Sequence, residues 1–166
     1  MLTRIQLWDE AGQRRSINAH IGTIYALQWQ PLQTDPIDDE RLLASSGEDG
    51  AICIWNVRNL DAKTPKHSMT MSLPVLNLSM TPDGAFIAGA TSDRIMIWKV
   101  GDSAFPRASW NRTPHPGWQS PKGNSDSEEE TQPCLGWDSE GQKLVYGANS
   151  RVSDSWRWMT FTTNPF

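Results

Sequence analysis

The sequence has no surplus of positive charge: its 166 residues contain 15 lysines and arginines against 19 aspartates and glutamates, a formal net charge of −4. Binding to a nucleic-acid backbone needs a concentrated basic surface, so this balance argues against direct nucleic-acid binding. The sequence also lacks a run of roughly 18 apolar residues, so we expect no membrane association. The first residues lack the apolar core of a secretory signal, and we therefore expect an intracellular protein, nuclear or cytoplasmic.

Residues that carry chemistry are scarce as well. The two cysteines, Cys53 and Cys134, lie far apart and form neither a disulfide framework nor a zinc site alone. Cys53 lies among apolar residues, and we interpret it as a small core residue. His67 and His115 have no second ligand at a helix or hairpin spacing. With no phosphate-binding loop or nucleophile elbow in the sequence, we expect no catalytic activity, no metal and no cofactor.

Tryptophan, in contrast, is abundant, with nine residues against two tyrosines and four phenylalanines. Three similar segments end in a tryptophan, 47 and 43 residues apart: Arg4–Trp8, Ala51–Trp55 and Arg94–Trp98. Each segment alternates apolar and other residues before its tryptophan, which is typical of a β-strand with two different faces. The tryptophans therefore mark an internal repeat.

Two further strand patterns recur with the same period. Ile24–Pro31 and Val75–Pro82 each read as a strand that ends at a proline, and Cys134–Gly141 keeps the strand but has a polar turn. Short strands rich in small residues follow, at Arg41–Ser46, Ala85–Ala90 and Lys143–Ala148. Strand, turn, strand, tight turn and strand at a period of about 40–45 residues describe the blade of a β-propeller.

The pattern resembles the WD-repeat β-propeller family over residues 1–150. The most complete repeat runs from His20 to Asn56, with Ala19 before His20 where the family has Gly-His, and Asn56 after Trp55 where it has Trp-Asp. The resemblance implies a hydrogen-bonded tetrad that ties the blade together, formed by His20, Ser45, Asp49 and Trp55. In the next repeat the histidine and serine positions are Met71 and Gly89, so we expect no tetrad there.

The resemblance implies a non-catalytic scaffold that mediates protein–protein interactions in a multiprotein complex. Asn18-Ala-His20 followed by Gly22–Leu27 is similar, more narrowly, to transducin-β-like corepressor subunits. The alternative is a substrate adaptor or regulatory subunit of an enzyme complex, either a ubiquitin ligase or a chromatin corepressor. His20, Asp49 and Ser45 have the composition of a hydrolase triad, but the repeat places all three inside the blade as structural partners.

The expected fold is all-β, a partial β-propeller of four-stranded antiparallel blades. The pattern predicts the end of a first blade over 1–18, a WD-repeat blade over 19–72, a degenerate blade over 73–112 and a partial blade over 133–151. Closed propellers typically have 4–8 blades, so we interpret the chain as a fragment of a larger propeller of about seven. A degenerate closed ring of four blades is the alternative.

Residues 113–132 interrupt the repeat with prolines, glycines and a run of acidic residues, a composition that predicts a disordered insertion. Ser125 and Ser127 each have a glutamate three residues later, which makes them candidate phosphorylation sites. The alternative is that this acidic loop is merely solvated.

Residues 152–166 do not continue the repeat. Ser153 and Ser155 occupy the positions of Ile95 and Ile97, so the strand that should lead to Trp156 has no apolar face. Val152-Ser153 is also what a GTGAGT splice-donor sequence encodes when it is translated. We therefore predict that these residues are a non-repeat tail, produced by read-through or a change of frame, that forms no blade strand.

Overall fold

The computed structural model describes residues 2–31, 40–58, 64–102, 104–111, 134–147 and 156–160. Within these ranges the chain forms thirteen β-strands, all paired antiparallel with a strand next to them in the chain. The predicted insertion 113–132, with Ser125 and Ser127, lies outside the described residues. No helix in the described part of the chain is long and apolar enough to cross a membrane.

The strands form four sheets, numbered here as blades in chain order. Blade 1 has two strands, β1 (Leu2–Trp8) and β2 (Arg14–Ile21). Blade 2 has four, β3 (Ile24–Trp29), β4 (Leu42–Gly47), β5 (Ala51–Asn56) and β6 (His67–Thr70). Blade 3 also has four, β7 (Asn77–Met80), β8 (Phe86–Ala90), β9 (Arg94–Lys99) and β10 (Ala108–Asn111). Blade 4 has three, β11 (Leu135–Trp137), β12 (Lys143–Gly147) and β13 (Trp156–Thr160).

The hydrophobic core lies between successive blades. Blade 1 packs on blade 2 through Ile5 and Ile17, which form a cluster with Leu43, Cys53 and Trp55. The clusters between blades 2 and 3 and between blades 3 and 4 are assembled in the same way from facing strands. Sheets buried on both faces explain why the strands contain apolar residues at both alternating positions. The chain is thus a partial β-propeller, as the sequence predicts.

The first strands of blades 2, 3 and 4 lie side by side, since β7 contacts both β3 and β11. Side chains join them: the Gln28 amide oxygen accepts a hydrogen bond from the Met80 backbone N–H at 3.0 Å, and the Trp137 indole donates to the Ser79 carbonyl at 3.1 Å. These bonds fix each blade against the next along the inner side of the array.

The turn after β11 in blade 4 is polar, whereas the turn after β7 in blade 3 contains a proline, yet both turns end in the same backbone conformation. Gly84 and Gly141 close the turns after β7 and β11 with φ angles of +69° and +68°, a left-handed conformation that favours glycine. In each turn an aspartate accepts a backbone hydrogen bond from the residue that follows the glycine, Asp83 from Ala85 and Asp138 from Gln142. The loss of the proline therefore leaves the hairpin intact.

The C-terminal segment departs from the prediction. Trp156–Thr160 forms β13 and pairs with β12 across five residue pairs, from Lys143 opposite Thr160 to Gly147 opposite Trp156. The prediction that 152–166 forms no blade strand is therefore wrong for Trp156–Thr160; the rest of the segment lies outside the described residues. The sequence comparison placed the strand before Trp156, whereas the strand begins at Trp156. It satisfies the backbone groups on the second edge of β12.

Candidate functional site

The structure brings His20, Ser45, Asp49 and Trp55 together, although they lie on four different segments. His20 is near the end of β2, and Asp49 is in the turn between β4 and β5. Ser45 on β4 and Trp55 on β5 are diagonal cross-strand neighbours, since Ser45 pairs with Cys53 and Trp55 with Leu43. The Nδ1 atom of His20 lies 2.9 Å from an Asp49 carboxylate oxygen, and its Nε2 atom lies 2.7 Å from the Ser45 hydroxyl. The Trp55 indole N–H donates to the same hydroxyl at 2.9 Å.

The direction of each hydrogen bond follows from the chemistry of the two ends. The Trp55 indole is only a donor and the Asp49 carboxylate only an acceptor. The Ser45 hydroxyl therefore accepts from Trp55 and donates to His20 Nε2, and His20 Nδ1–H donates to Asp49. With these directions every polar group of the four side chains in the network has a hydrogen-bond partner. His20 and Ser45 are buried, so leaving either without a partner would be costly.

Asp49 also holds the backbone where blade 1 passes into blade 2. Its carboxylate accepts from the Ile21 N–H at 2.9 Å and from the Ala51 N–H at 3.1 Å. Partial burial acts to raise the pKa of Asp49, but the hydrogen bonds from Ile21, His20 and Ala51 outweigh it and hold the pKa below its ordinary value. The ionised carboxylate is therefore the form that the fold favours.

This lowered pKa gives a pH dependence with a definite sign. Ionised Asp49 adds stability above the ordinary aspartate pKa of about 4, and the contribution is lost as pH falls through that value toward the lower pKa of the folded state. We expect urea unfolding between about pH 6 and pH 3 to show a smaller decrease in unfolding free energy for Asp49→Asn than for the unchanged chain. Equal pH profiles for Asp49→Asn and the unchanged chain would contradict the assignment.

The third blade replaces this network with packing. Gly89 stands where blade 2 has Ser45, and a Cβ atom built on it would lie 2.8 Å from Ile52 Cδ1 and 3.3 Å from the Trp98 ring. The Trp98 indole therefore donates elsewhere, to the Ala104 carbonyl at 3.2 Å. Asp93 accepts from the Thr91 hydroxyl at 2.7 Å within its own turn. The absence of a side chain at Gly89 makes room for Trp98 against blade 2.

Cys53 has no properties of a nucleophile. It is buried on β5 beside Trp55, and desolvation, with a smaller contribution from the charge of Asp49, raises its pKa to about 11. The thiol is therefore protonated at neutral pH and unreactive. Within the described ranges no three His, Cys, Asp or Glu side chains approach closely enough to hold a metal ion together.

Trp8 differs from the two tryptophans that align with it. Trp55 and Trp98 are buried between blades, whereas 62% of Trp8 is exposed. The three tryptophans occupy the same position of the sequence repeat, but they are not equally buried. Trp8 ends β1 at the margin of the two-stranded blade 1, where no described strand packs over its indole.

Trp8 borders a cleft between the first two blades, which we call the Trp8 cleft. Its lining combines one large aromatic ring, aliphatic side chains and two guanidinium groups: Leu7, Trp8, Asp9, Gln13, Arg15, Val57 and Arg58. An aromatic ring beside arginines suits a partner segment with an apolar side chain next to a carboxylate. Sequence reasoning found Trp8 but not its exposure, and it did not find Arg15 or Arg58.

A second exposed apolar surface lies on β3. Leu27 and Trp29 are exposed, and the Arg41 guanidinium lies 5.0 Å from the centroid of the Trp29 ring. Arg41 also donates to the Gln30 carbonyl at 2.8 Å, which holds it over the ring. The repeat pattern does not predict this surface, since Leu27 and Trp29 occupy the same pattern positions as the buried Leu78 and Met80.

Residues 12–56 match the family "WD domain, G-beta repeat". The matched residues include His20, Ser45, Asp49 and Trp55, the four members of the hydrogen-bonded tetrad. The chain is also 33% identical, over 109 aligned residues, to "Restriction of telomere capping protein 1" of Zygosaccharomyces rouxii. That alignment covers 58% of this chain and 8% of the yeast protein.

Among solved structures, a chain in "Crystal Structure of Mitotic Checkpoint Complex" has the same fold. The superposition has a TM-score of 0.61 at 18% sequence identity and covers 87% of this chain and 38% of that chain. The chain thus spans well under half the length of both relatives. The family match and the shared fold together support a WD-repeat protein with a partial β-propeller.

Proposed function

We propose that this WD-repeat chain is a non-catalytic scaffold that holds partner proteins in a multiprotein complex. The observation that carries the proposal is the Trp8 cleft, an exposed tryptophan and two arginines on a rigid stack of sheets. Tryptophan and arginine are enriched among the few residues that dominate the energy of protein interfaces. Their supporting strands are fixed by a buried cluster, so little order has to be gained on binding.

The tetrad supports a structural role for the residues that most resemble a catalytic triad. The Ser45 hydroxyl is buried, donates to His20 and accepts from Trp55, so it has no access to a substrate. A nucleophile needs an open site with donors for a developing oxyanion. We therefore assign His20, Ser45, Asp49 and Trp55 to the stability of blade 2.

The yeast relative is named for restriction of telomere capping, and the structural relative is part of a checkpoint complex. Both names are compatible with a partner protein in the nucleus or the cytoplasm, and we propose one of these locations. The narrower alternatives, a chromatin corepressor subunit or an adaptor of a ubiquitin ligase, are scaffolds of the same kind. The identity of the captured partners distinguishes them.

The experiment compares partners captured by the tagged full chain and by its Trp8→Ala variant in cells of the source organism. We expect the unchanged chain to retain a defined set of proteins at near-stoichiometric amounts, and Trp8→Ala to lose them by about tenfold or more, as for an interface anchor worth about 1.4 kcal/mol or more. Circular dichroism and thermal melting should be unchanged by Trp8→Ala.

The matched control is Phe105→Ala, which removes an exposed aromatic side chain from the turn before β10 in blade 3. It should capture the same partners as the unchanged chain. Loss of partners in both variants would indicate that exposed aromatic residues bind non-specifically. Retention of all partners by Trp8→Ala would remove the cleft from the proposal.

A further inference from the structure

The connection between β5 and β6 presents an exposed hydroxyl beside a proline. Four threonine or serine residues of the chain are followed by proline: Thr64, Thr81, Thr113 and Ser120. Thr113 and Ser120 lie outside the described residues. Thr64 is exposed and lies three residues before β6 begins, whereas Thr81 is 1% exposed. Within the described ranges the same dipeptide therefore occurs once on the surface and once in the core.

The hydroxyl of Thr81 is held inside the turn after β7. It donates to the Asp83 carboxylate and accepts from the Phe86 N–H at 3.0 Å. Access of an enzyme to this hydroxyl would require blade 3 to open locally, because both hydrogen bonds and the burial have to be lost. Thr81 therefore belongs to the structure of its turn, and it provides an internal control for Thr64.

Thr64 has the backbone setting that an enzyme acting on a short segment needs. Pro65 has no N–H, and its ring disfavours a helical conformation of the residue before it. The hydrogen bonds of the sheet begin directly after the proline, since the Lys66 N–H donates to the Ile54 carbonyl at 2.8 Å and His67 pairs with Ile54. Thr64 and Pro65 therefore stand at the end of a fixed strand, where an enzyme can reach the hydroxyl.

A cluster of charged groups follows Thr64. Lys66 is exposed and forms an ion pair with Glu40, and Glu40 also accepts from the Asn56 amide at 3.3 Å. Partial burial and the charge of Lys66 lower the pKa of His67, while the charge of Glu40 acts to raise it. A further negative group at Thr64 would enter this cluster and compete with Glu40 for the Lys66 ammonium.

We propose that Thr64 is a phosphorylation site for a proline-directed protein kinase. In this step the Thr64 Oγ1 atom forms a bond to the γ-phosphorus of ATP. The bond from that phosphorus to the bridging oxygen breaks, ADP leaves, and the hydroxyl proton passes to the kinase. The product carries about −1.5 to −2 charge at neutral pH, two residues from Lys66. This inference goes beyond the proposed scaffold function and does not depend on it.

The first test uses the purified full chain, ATP and a cyclin-dependent kinase, which requires proline after its acceptor residue. Mass spectrometry follows phosphorylation of Thr64 and Thr81 over time in the chain and in two synthetic peptides, residues 58–72 and 75–89. The ratio of the Thr64 rate to the Thr81 rate should be at least about tenfold higher in the folded chain than in the peptides, because Thr81 reacts only when its turn opens. The peptides correct for any preference of the kinase between the two sequences.

Thr64→Val is the matched variant, because it removes an exposed hydroxyl and is not expected to change the fold. It should lose this phosphate and keep modification at other sites. A peptide modified at Thr64 while the chain is not would show that the fold hides the hydroxyl. Equal ratios in chain and peptides would show that the fold does not select between the two threonines. Either result would overturn the proposal, as would a Thr64 peptide that the kinase does not modify.

The charge cluster gives a second measurement, the ionisation of His67. NMR titration of its ring in the phosphorylated chain should show a pKa about 0.3–0.5 higher than in the unmodified chain, the size expected for a doubly charged group roughly 8 Å away in dilute salt. The Thr64→Val chain, carried through the same reaction, should show no change. A His67 pKa that phosphate on Thr64 leaves unaltered would contradict competition for Lys66.

The last test asks whether cells use the site. The tagged full chain is isolated from dividing cells of the source organism, digested and analysed by mass spectrometry. We expect phosphate on Thr64 and none on Thr81. Detection of the Thr64 peptide in its unmodified form alone would overturn the proposal, since the hydroxyl would then be accessible but unused.

Discussion

Trp98→Ala is expected to lower the free energy of unfolding by about 3–5 kcal/mol, the usual cost of removing a buried aromatic side chain. Trp98 is 1% exposed and packs in the cluster between blades 2 and 3, against the gap left by Gly89. Its removal creates a cavity between two blades and leaves the Ala104 carbonyl without the indole donor. Urea unfolding followed by circular dichroism measures the loss.

Trp8→Ala is the matched control, because Trp8 ends the same strand pattern in another blade. Its exposed indole should contribute less than about 0.5 kcal/mol to stability. A similar loss for both substitutions would show that the repeat tryptophans are equivalent in the folded chain, against the difference in burial. It would also remove Trp8 from the candidate interface, since a residue that stabilises the fold is not a free anchor.

Trp8 and Trp98 occupy the same position of the repeat but differ in burial, and the sequence alone does not predict this difference. The strand order, the hairpin turns and the blade period are local, since each follows from alternation and turn residues within a few positions. Whether Trp8 or Leu27 is buried depends on a neighbouring blade that lies outside the segment. Leu27 is exposed because blade 1 has only two described strands to set against blade 2. Trp8 is exposed because it alternates with Ile5 and Leu7 and so lies on the face of β1 away from blade 2, which no described strand covers.

The C-terminal strand shows the converse error. In the repeat segments Trp55 and Trp98 come near the end of their strands, so the repeat predicts apolar residues before Trp156, at the positions of Ser153 and Ser155. In the structure Trp156 begins β13, and the pairing with β12 fixes the register. Backbone hydrogen bonds to an open edge are available to any strand of suitable length, so a side-chain pattern copied from other blades did not find it.

The tetrad residues were found because the resemblance fixed their spacing, but the sequence did not give the geometry. Asp49 also binds the backbone of Ile21 and Ala51, which the spacing does not reveal. These bonds join the end of blade 1 to the turn of blade 2, so the tetrad couples two blades as well as three strands. We therefore expect its loss to weaken the packing of blade 1 on blade 2.

The sharpest test of this coupling is Ser45→Ala. The Ser45 hydroxyl lies between His20 and Trp55 in the hydrogen-bonded tetrad. Its removal therefore leaves both the His20 Nε2 atom and the Trp55 indole N–H buried without a partner. Each of the two unsatisfied groups costs about 1–3 kcal/mol, so we expect a total loss of about 2–6 kcal/mol of unfolding free energy. Chemical denaturation of the purified chain measures it.

The neighbouring residue provides the control. Ser46 is equally buried, but its hydroxyl makes one hydrogen bond, to the Val75 carbonyl at 3.1 Å, so Ser46→Ala should cost about 1 kcal/mol. Trp55→Phe removes the indole donor, and in a Ser45→Ala background it should cost less than it does alone, because that donor has already lost its acceptor. Additive losses would show that the bonds act independently and that blade 2 is held by its apolar core rather than by a coupled network.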